Sequence, residues 1–151
     1  MKAIQALGTA VLIGVACLTL VHASDFVGVY ARIDKVVLEP NNDAPERIQI
    51  WGVFSLANPD DRQNYLPAAR GYVYFKLDRN PQAARAEWND LKQAAGSSQI
   101  LAFGARGQHL SLRKPADKPE NPDAYLTNVG VTKVNSKTDY PPVKALVDYK
   151  D

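Results

Sequence analysis

Tyr30, Arg32, Trp51, Tyr72, Tyr74 and Lys76 are the residues whose types and spacing best suit chemistry at a surface. Aromatic rings beside cations can stack on sugars, bases or peptide groups, while the cations orient what is bound. In "RIQIWGVFSLA" (47–57), Ile48, Ile50, Phe54 and Leu56 mark one face of a strand, and Trp51 falls out of phase with them. Successive strand residues point to opposite faces, so Trp51 is expected away from the core. In "GYVYFKL" (71–77), Val73, Phe75 and Leu77 share one face, and Tyr72, Tyr74 and Lys76 share the other. If these strands pair as a meander with the one carrying Tyr30 and Arg32, the six residues form one aromatic-basic face. Two other readings compete. The C-terminal segment could cover the rings as a second core layer, since 125–150 must bury apolar side chains of its own. Alternatively, the face could meet a protein, for which Trp, Tyr and Arg are the usual anchors.

Residues for covalent or acid–base chemistry are sparse. His109, in "ARGQH", could serve as a base or metal ligand. Its neighbour Ser111 and the Ser97-Ser98 pair lie in no Gly-x-Ser-x-Gly elbow, so His109 reads as a solvated turn residue. Asp60-Asp61 in "NPDD", and Asp43 with Glu46 in "NNDAPE", lack the spacing of a calcium loop. They read as turn residues bonding their own backbone, and Asp34 as one partner of an ion pair. No two acidic residues can be set across a cleft as glycoside hydrolysis requires. "GYVYF" lacks the basic-glycine framework of an RNA-binding strand, and Gly104-Ala-Arg-Gly107 lacks a phosphate-loop lysine. The expectation is no catalytic residue, no metal site and no cofactor.

The first residues bear on where such a face would work. Lys2, the apolar run 6–21 and the Val21-His22-Ala23 site before Ser24-Asp25 have the layout of a cleaved secretory signal, 1–23. An uncleaved anchor is the alternative, although the run is short for a span. Cys17 lacks the leucine expected three places before a lipidated cysteine. Cleavage removes Cys17 and His22, so the mature chain, 24–151, has no cysteine and no route to disulfides or thiolate chemistry. The formal charge of +2, or +1 without Lys2, comes from interspersed charges with no basic block. No nucleic-acid partner and no membrane span after cleavage are therefore expected. The expected location is the periplasm or the extracellular space.

One compact domain must position the face. "YARIDKVVLEP" (30–40) is β-rich, and its apolar phase switches from Val29, Ala31 and Ile33 to Val36 and Leu38, which calls for a bulge near Asp34-Lys35. Strands at 47–57 and 71–77 follow. Asn80 as cap, Pro81 at the first turn and Gly96 as terminator then bracket a helix with the apolar stripe Ala84, Trp88, Leu91 and Ala95. Strands are predicted at 99–106 and 109–114, a proline-spaced loop at 115–124, and an extra strand at 125–134 with a bulge or close approach at Gly130. The tail after Pro142 has helical spacing at Val143, Leu146 and Val147, or is a short strand.

This order, with a bent first strand and a helix between the third and fourth strands, resembles the OB-fold, a five-stranded Greek-key barrel. The resemblance spans 26–114, followed by the loop and by the C-terminal strand and tail at 125–151. A β-sandwich with one surface helix is the alternative. In an OB-fold the outer face of the first strands takes oligonucleotides or oligosaccharides. The functional expectation is an exported, non-catalytic binding or adaptor protein with a protein or glycan partner in the cell envelope. A structural subunit of an envelope assembly is second, and a small hydrolase of envelope polysaccharide third.

Overall fold

In the computed structural model, the described residues are 26–40, 46–58, 60–61, 63–106, 110–117, 124–126, 132–134 and 138–151. The signal segment with Cys17 and His22, and Asp43, Gly107, His109 and Gly130, lie outside them. The elements are β1 (Phe26–Glu39), β2 (Arg47–Leu56), β3 (Ala69–Lys76), α1 (Pro81–Ala94), β4 (Ile100–Arg106), β5 (Tyr125–Leu126), β6 (Thr132–Val134) and α2 (Pro141–Val147).

The strands run β1-β2-β3-β5-β4-β6, and β1 also pairs with β4, which closes five of them into a barrel. Closure depends on the length and bend of β1. Its first half pairs with β4 from Phe26 to Arg32, and Val29 to Glu39 pair with β2. The register slips between Ile33 and Lys35, the bulge that the change of apolar phase demands. Before Asp34 the odd-numbered residues Val29, Ala31 and Ile33 are buried in the core, whereas after it Lys35 and Val37 are exposed.

Inside the barrel, Val29, Ile33, Ile48, Ile50, Val73 and Phe75 are almost wholly buried, and Phe75 meets Phe103 edge to face at 5.7 Å. The α1 helix packs against this core. Asn80 caps it by accepting from the Gln82 and Ala83 amides at 2.9 and 3.4 Å, and Pro81 opens the first turn. At its far end the Ala95 amide donates to the Leu91 carbonyl, and Gly96 follows at φ +73°. Leu91 and Ala94 are buried, with Ala84, Trp88 and Ala95 packed beside them.

Two elements depart from the sequence expectation. The fifth barrel strand is Tyr125–Leu126, parallel to β3 through Lys76↔Tyr125 and antiparallel to β4. Segment 110–117 has no ladder and touches β3 through a single bridge, Tyr72↔Arg113. The predicted extra strand, 125–134, lies along β4 at both its ends, as β5 and as β6. The tail is helical. Opening on two prolines, α2 buries Pro142, Val143 and Leu146, while Val147 is exposed. This helix packs on the outside of the barrel, where Val143 and Leu146 join Val53 and Ile100 in a second apolar cluster flanked by Tyr30, Ala68, Val134 and Tyr149. No helix among the described residues is long and apolar enough to cross a membrane.

Candidate functional site on the outer barrel face

Cross-strand register builds the outer face of β1, β2 and β3 below the bulge as three rows. They are Lys35–Trp51–Tyr72, then Val37–Gln49–Tyr74, then Glu39–Arg47–Lys76. Neighbours in such rows are in direct side-chain contact, and here every row is occupied. Tyr72 stacks on Trp51 with centroids 4.5 Å apart and planes 24° from parallel. From the β1 side, the Lys35 ammonium stands 4.6 Å from the centroid of the same indole.

A continuous hydrogen-bond chain links the rows. The Trp51 indole N–H donates to Gln49 Oε1 at 2.8 Å, and Gln49 Nε2 donates to the Tyr74 hydroxyl at 2.6 Å. Gln49 Nε2 also reaches Glu39, to which the Tyr74 hydroxyl donates at 3.1 Å. Arg47 Nε sits 3.1 Å from the other Glu39 oxygen, with its guanidinium near the Tyr74 ring. Burial, with the Glu39 charge adding to it, raises the Tyr74 pKa above the usual phenol value, although the Gln49 hydrogen bond opposes the shift.

The six residues singled out from the sequence divide between two environments. Trp51, Tyr72, Tyr74 and Lys76 belong to the rows below the bulge. Tyr30 and Arg32 lie above it, against α2. Arg32 Nη1 donates to the Leu146 carbonyl at 3.5 Å, and Tyr30 meets Tyr65 and Tyr140 edge to face at 5.3 and 5.5 Å. Burial first, then the hydrogen bond with Tyr140 and the charges of Tyr65 and Tyr140, push the Tyr30 hydroxyl well above its ordinary pKa. Covering by the C-terminal tail therefore holds for the Tyr30 end of the face. At the boundary Arg70 joins Asp34 and also Asp151, 2.6 Å away.

Below that boundary the face is partly covered. Tyr72 and Tyr74 are only 3% and 4% exposed: segment 113–117 crosses beside Tyr72, while Gln49, Glu39, Arg47 and the Tyr72 ring surround Tyr74. The Tyr72 hydroxyl donates to the Asp117 carbonyl at 3.1 Å, and Tyr72 and Arg113 exchange two backbone hydrogen bonds. Trp51, Gln49, Arg47 and Lys76 are half-buried, and Lys35 and Val37 are exposed. Lys35, Glu39, Arg47 and Gln49 were missed in the sequence reading. The bulge that inverts the parity of β1 was the signal that could have found the first two.

Other candidates resolve more simply. Asp61 Oδ1 accepts from the Gln63 amide at 3.1 Å, a turn residue bonding its own backbone, and Asp34 is the ion-pair residue expected, with Arg70 as partner. No group of three His, Cys, Asp or Glu among the described residues could hold a metal. A cleft of about 490 Å³ lies between the end of β1 and α1, lined by Leu38, Leu77, Arg79, Arg85 and Trp88 among others. A second, of about 470 Å³ and mostly apolar, lies between the β2–β3 connection and segment 110–112, with Phe54, Leu56, Leu66, Leu110 and Leu112 in its walls.

The closed five-strand barrel, with one extra strand and two short helices, defines a small OB-fold-like β barrel. No family model, curated protein or solved structure matches this chain.

Proposed function

We propose that the protein is a non-catalytic binding or adaptor protein, exported to the cell envelope, which holds a protein or glycan partner on the outer face below the β1 bulge. The observation that carries this reading is the division of the face. The tail helix seals the Tyr30 end, yet stops short of rows in which Trp51 is half-buried and Val37 is 37% exposed among charged neighbours. Half-buried Trp51 and exposed Val37, flanked by charged residues around the central Gln49, mix apolar and polar surface as binding faces do. The internal hydrogen-bond chain holds Trp51 in one orientation before any partner arrives, which lowers the ordering cost of binding.

Val37→Glu and Trp51→Ala test it. Val37 is exposed, so a glutamate there leaves the fold intact and places a charge on the β1 side of the face, beside Gln49. Each variant should retain cooperative melting and lose binding to isolated envelope polysaccharide or envelope protein by about thirtyfold or more, the effect of removing a hot spot of about 2 kcal/mol. Unchanged binding in both variants would refute the reading. Amino-terminal sequencing of the exported protein tests the compartment, with Ser24 expected as the first residue.

A further inference from the structure

We propose that Lys35 is a displaceable cover on Trp51, and that the ligand displacing it is a sugar ring bearing a carboxylate, a uronate unit of an acidic glycan. This rests on the binding-face reading above and names the chemistry of its partner.

Strand order places Lys35 and Tyr72 on opposite sides of the indole. The Tyr72 side is fixed, since that ring is buried, its hydroxyl is held by Asp117 and its backbone is bonded to Arg113. The Lys35 side is not. Lys35 is exposed, and among the described residues its ammonium has the indole as its contact, with no carboxylate in ion-pair range. An exposed cation–π contact is weak, so this is the face of Trp51 that opens.

What draws the ammonium away must bond it better than the ring does, and a carboxylate does so through a charge-assisted hydrogen bond. The uncovered indole then needs a flat partner. A sugar ring with its own carboxylate supplies both from one unit. Charge on the rest of the face agrees. Glu39 is already engaged by Arg47, Gln49 and Tyr74, so it does not compensate the lysines at opposite corners. Among the described residues, the Lys76 ammonium has the Tyr125 ring and hydroxyl as its contacts, the latter at 3.5 Å. With residues about 3.3 Å apart along a strand and strands about 4.8 Å apart, the two corners are roughly 16 Å from each other. A polymer carrying repeated carboxylates can reach both. An extended peptide is served less well, because both Nε2 hydrogens of Gln49, the amide at the centre, are spent on Tyr74 and Glu39 and leave no donor for a main-chain carbonyl.

Trp51 fluorescence of the exported chain provides the test, with Trp51→Phe as the blank so that Trp88 stays in place. Oligogalacturonate should change the emission saturably and in a salt-sensitive way, and neutral dextran should not. Lys35→Gln should weaken oligogalacturonate by about tenfold, the equivalent of one charge-assisted contact of about 1.4 kcal/mol. Without ligand, the same variant should make Trp51 more accessible to acrylamide. Lys76→Gln should weaken long oligomers and leave the galacturonate monomer unaffected. Equal response to dextran, tighter binding of a Glu-rich peptide or single-stranded DNA, or no effect of Lys35→Gln on either readout would overturn the proposal. If oligogalacturonate does not bind while Val37→Glu still abolishes envelope binding, this inference falls and the binding face stands. If Val37→Glu also has no effect, both fall.

Discussion

Gly52 stands opposite Gly71 across the β2–β3 ladder, and each glycine makes room for the backbone of a different neighbouring segment. A Cβ on Gly52 would lie 2.2 Å from the Arg32 carbonyl oxygen, just before the β1 bulge. A Cβ on Gly71 would lie 2.2 Å from the Arg113 carbonyl oxygen, where segment 110–117 docks. Backbone cannot yield as a flexible side-chain tip can, so Gly52→Ala and Gly71→Ala should each cost at least about 1–3 kcal/mol, the usual range for overpacking. Urea melts check this. Gly71→Ala should also raise acrylamide quenching in the Trp51 region, because it dislodges the segment that covers Tyr72.

Glu87 is a carboxyl at a core-facing position of α1. It is 9% exposed, and its Oε1 has no hydrogen-bond partner among the described residues. Burial, and secondarily the charge of Asp78, raise its folded pKa above the ordinary 4.5, with the Asp78 amide opposing. A raised carboxyl favours folding below its unfolded value, and that contribution is lost as pH rises through the folded value. Glu87→Gln keeps an acceptor for the Asp78 amide without the charge. Thermal melts should therefore show the variant more stable than wild type at neutral pH, with the difference vanishing below about pH 4.5.

The tail helix is held by its apolar side more than by its ions. Leu146 is fully buried in the outer cluster, so Leu146→Ala should cost about 2–5 kcal/mol. Arg70, by contrast, pairs with Asp34 and Asp151 at solvent-exposed positions, and Arg70→Ala should cost no more than about 1 kcal/mol, the upper range for surface pairs. Denaturant melts rank the two. The reverse order would show that the ion pairs are the main fastening.

Tyr74 should ionise later than a free tyrosine. Difference absorbance between wild type and Tyr74→Phe isolates its titration, with a midpoint above the ordinary 10. The raised value favours the folded state until pH climbs through it, so wild type should lose its advantage over Tyr74→Phe only in strong alkali. At neutral pH the phenylalanine should cost about 1 kcal/mol, the net worth of a hydrogen bond. Glu39→Ala, which removes the acceptor shared by Gln49, Tyr74 and Arg47, should cost more.

Local signals were legible in the sequence where local chemistry decides the outcome. Asn80, Pro81 and Gly96 bracket α1 because a cap, a fixed φ and a positive φ are each single-residue properties. The phase change around Asp34 announced the bulge for a similar reason. Long-range pairing was less legible. Leu110 and Leu112 alternate like strand residues because both pack on the core, yet only Arg113 of that segment bridges a strand. Alternation reports which side chains are buried, not which backbone finds a partner. For the same reason the shielding of Tyr72 could not be read from β3, since it comes from a segment some forty residues further along the chain.

Among the described residues, barrel closure between β3 and β5 rests on one register pair, Lys76↔Tyr125, beside the Lys76 amide bond to the Ala124 carbonyl at 3.0 Å. Everywhere else around the barrel the strands meet over longer ladders or through antiparallel pairs. The barrel thus has a seam. Joining it brings together two positions far apart in the chain for little hydrogen bonding in return, a poor exchange early in folding, when loop-closure entropy is still unpaid. The β1–β2–β3 meander, built from near neighbours, can take shape first and β5 can close it last. Amides at this seam should accordingly be among the first in the barrel to exchange with solvent.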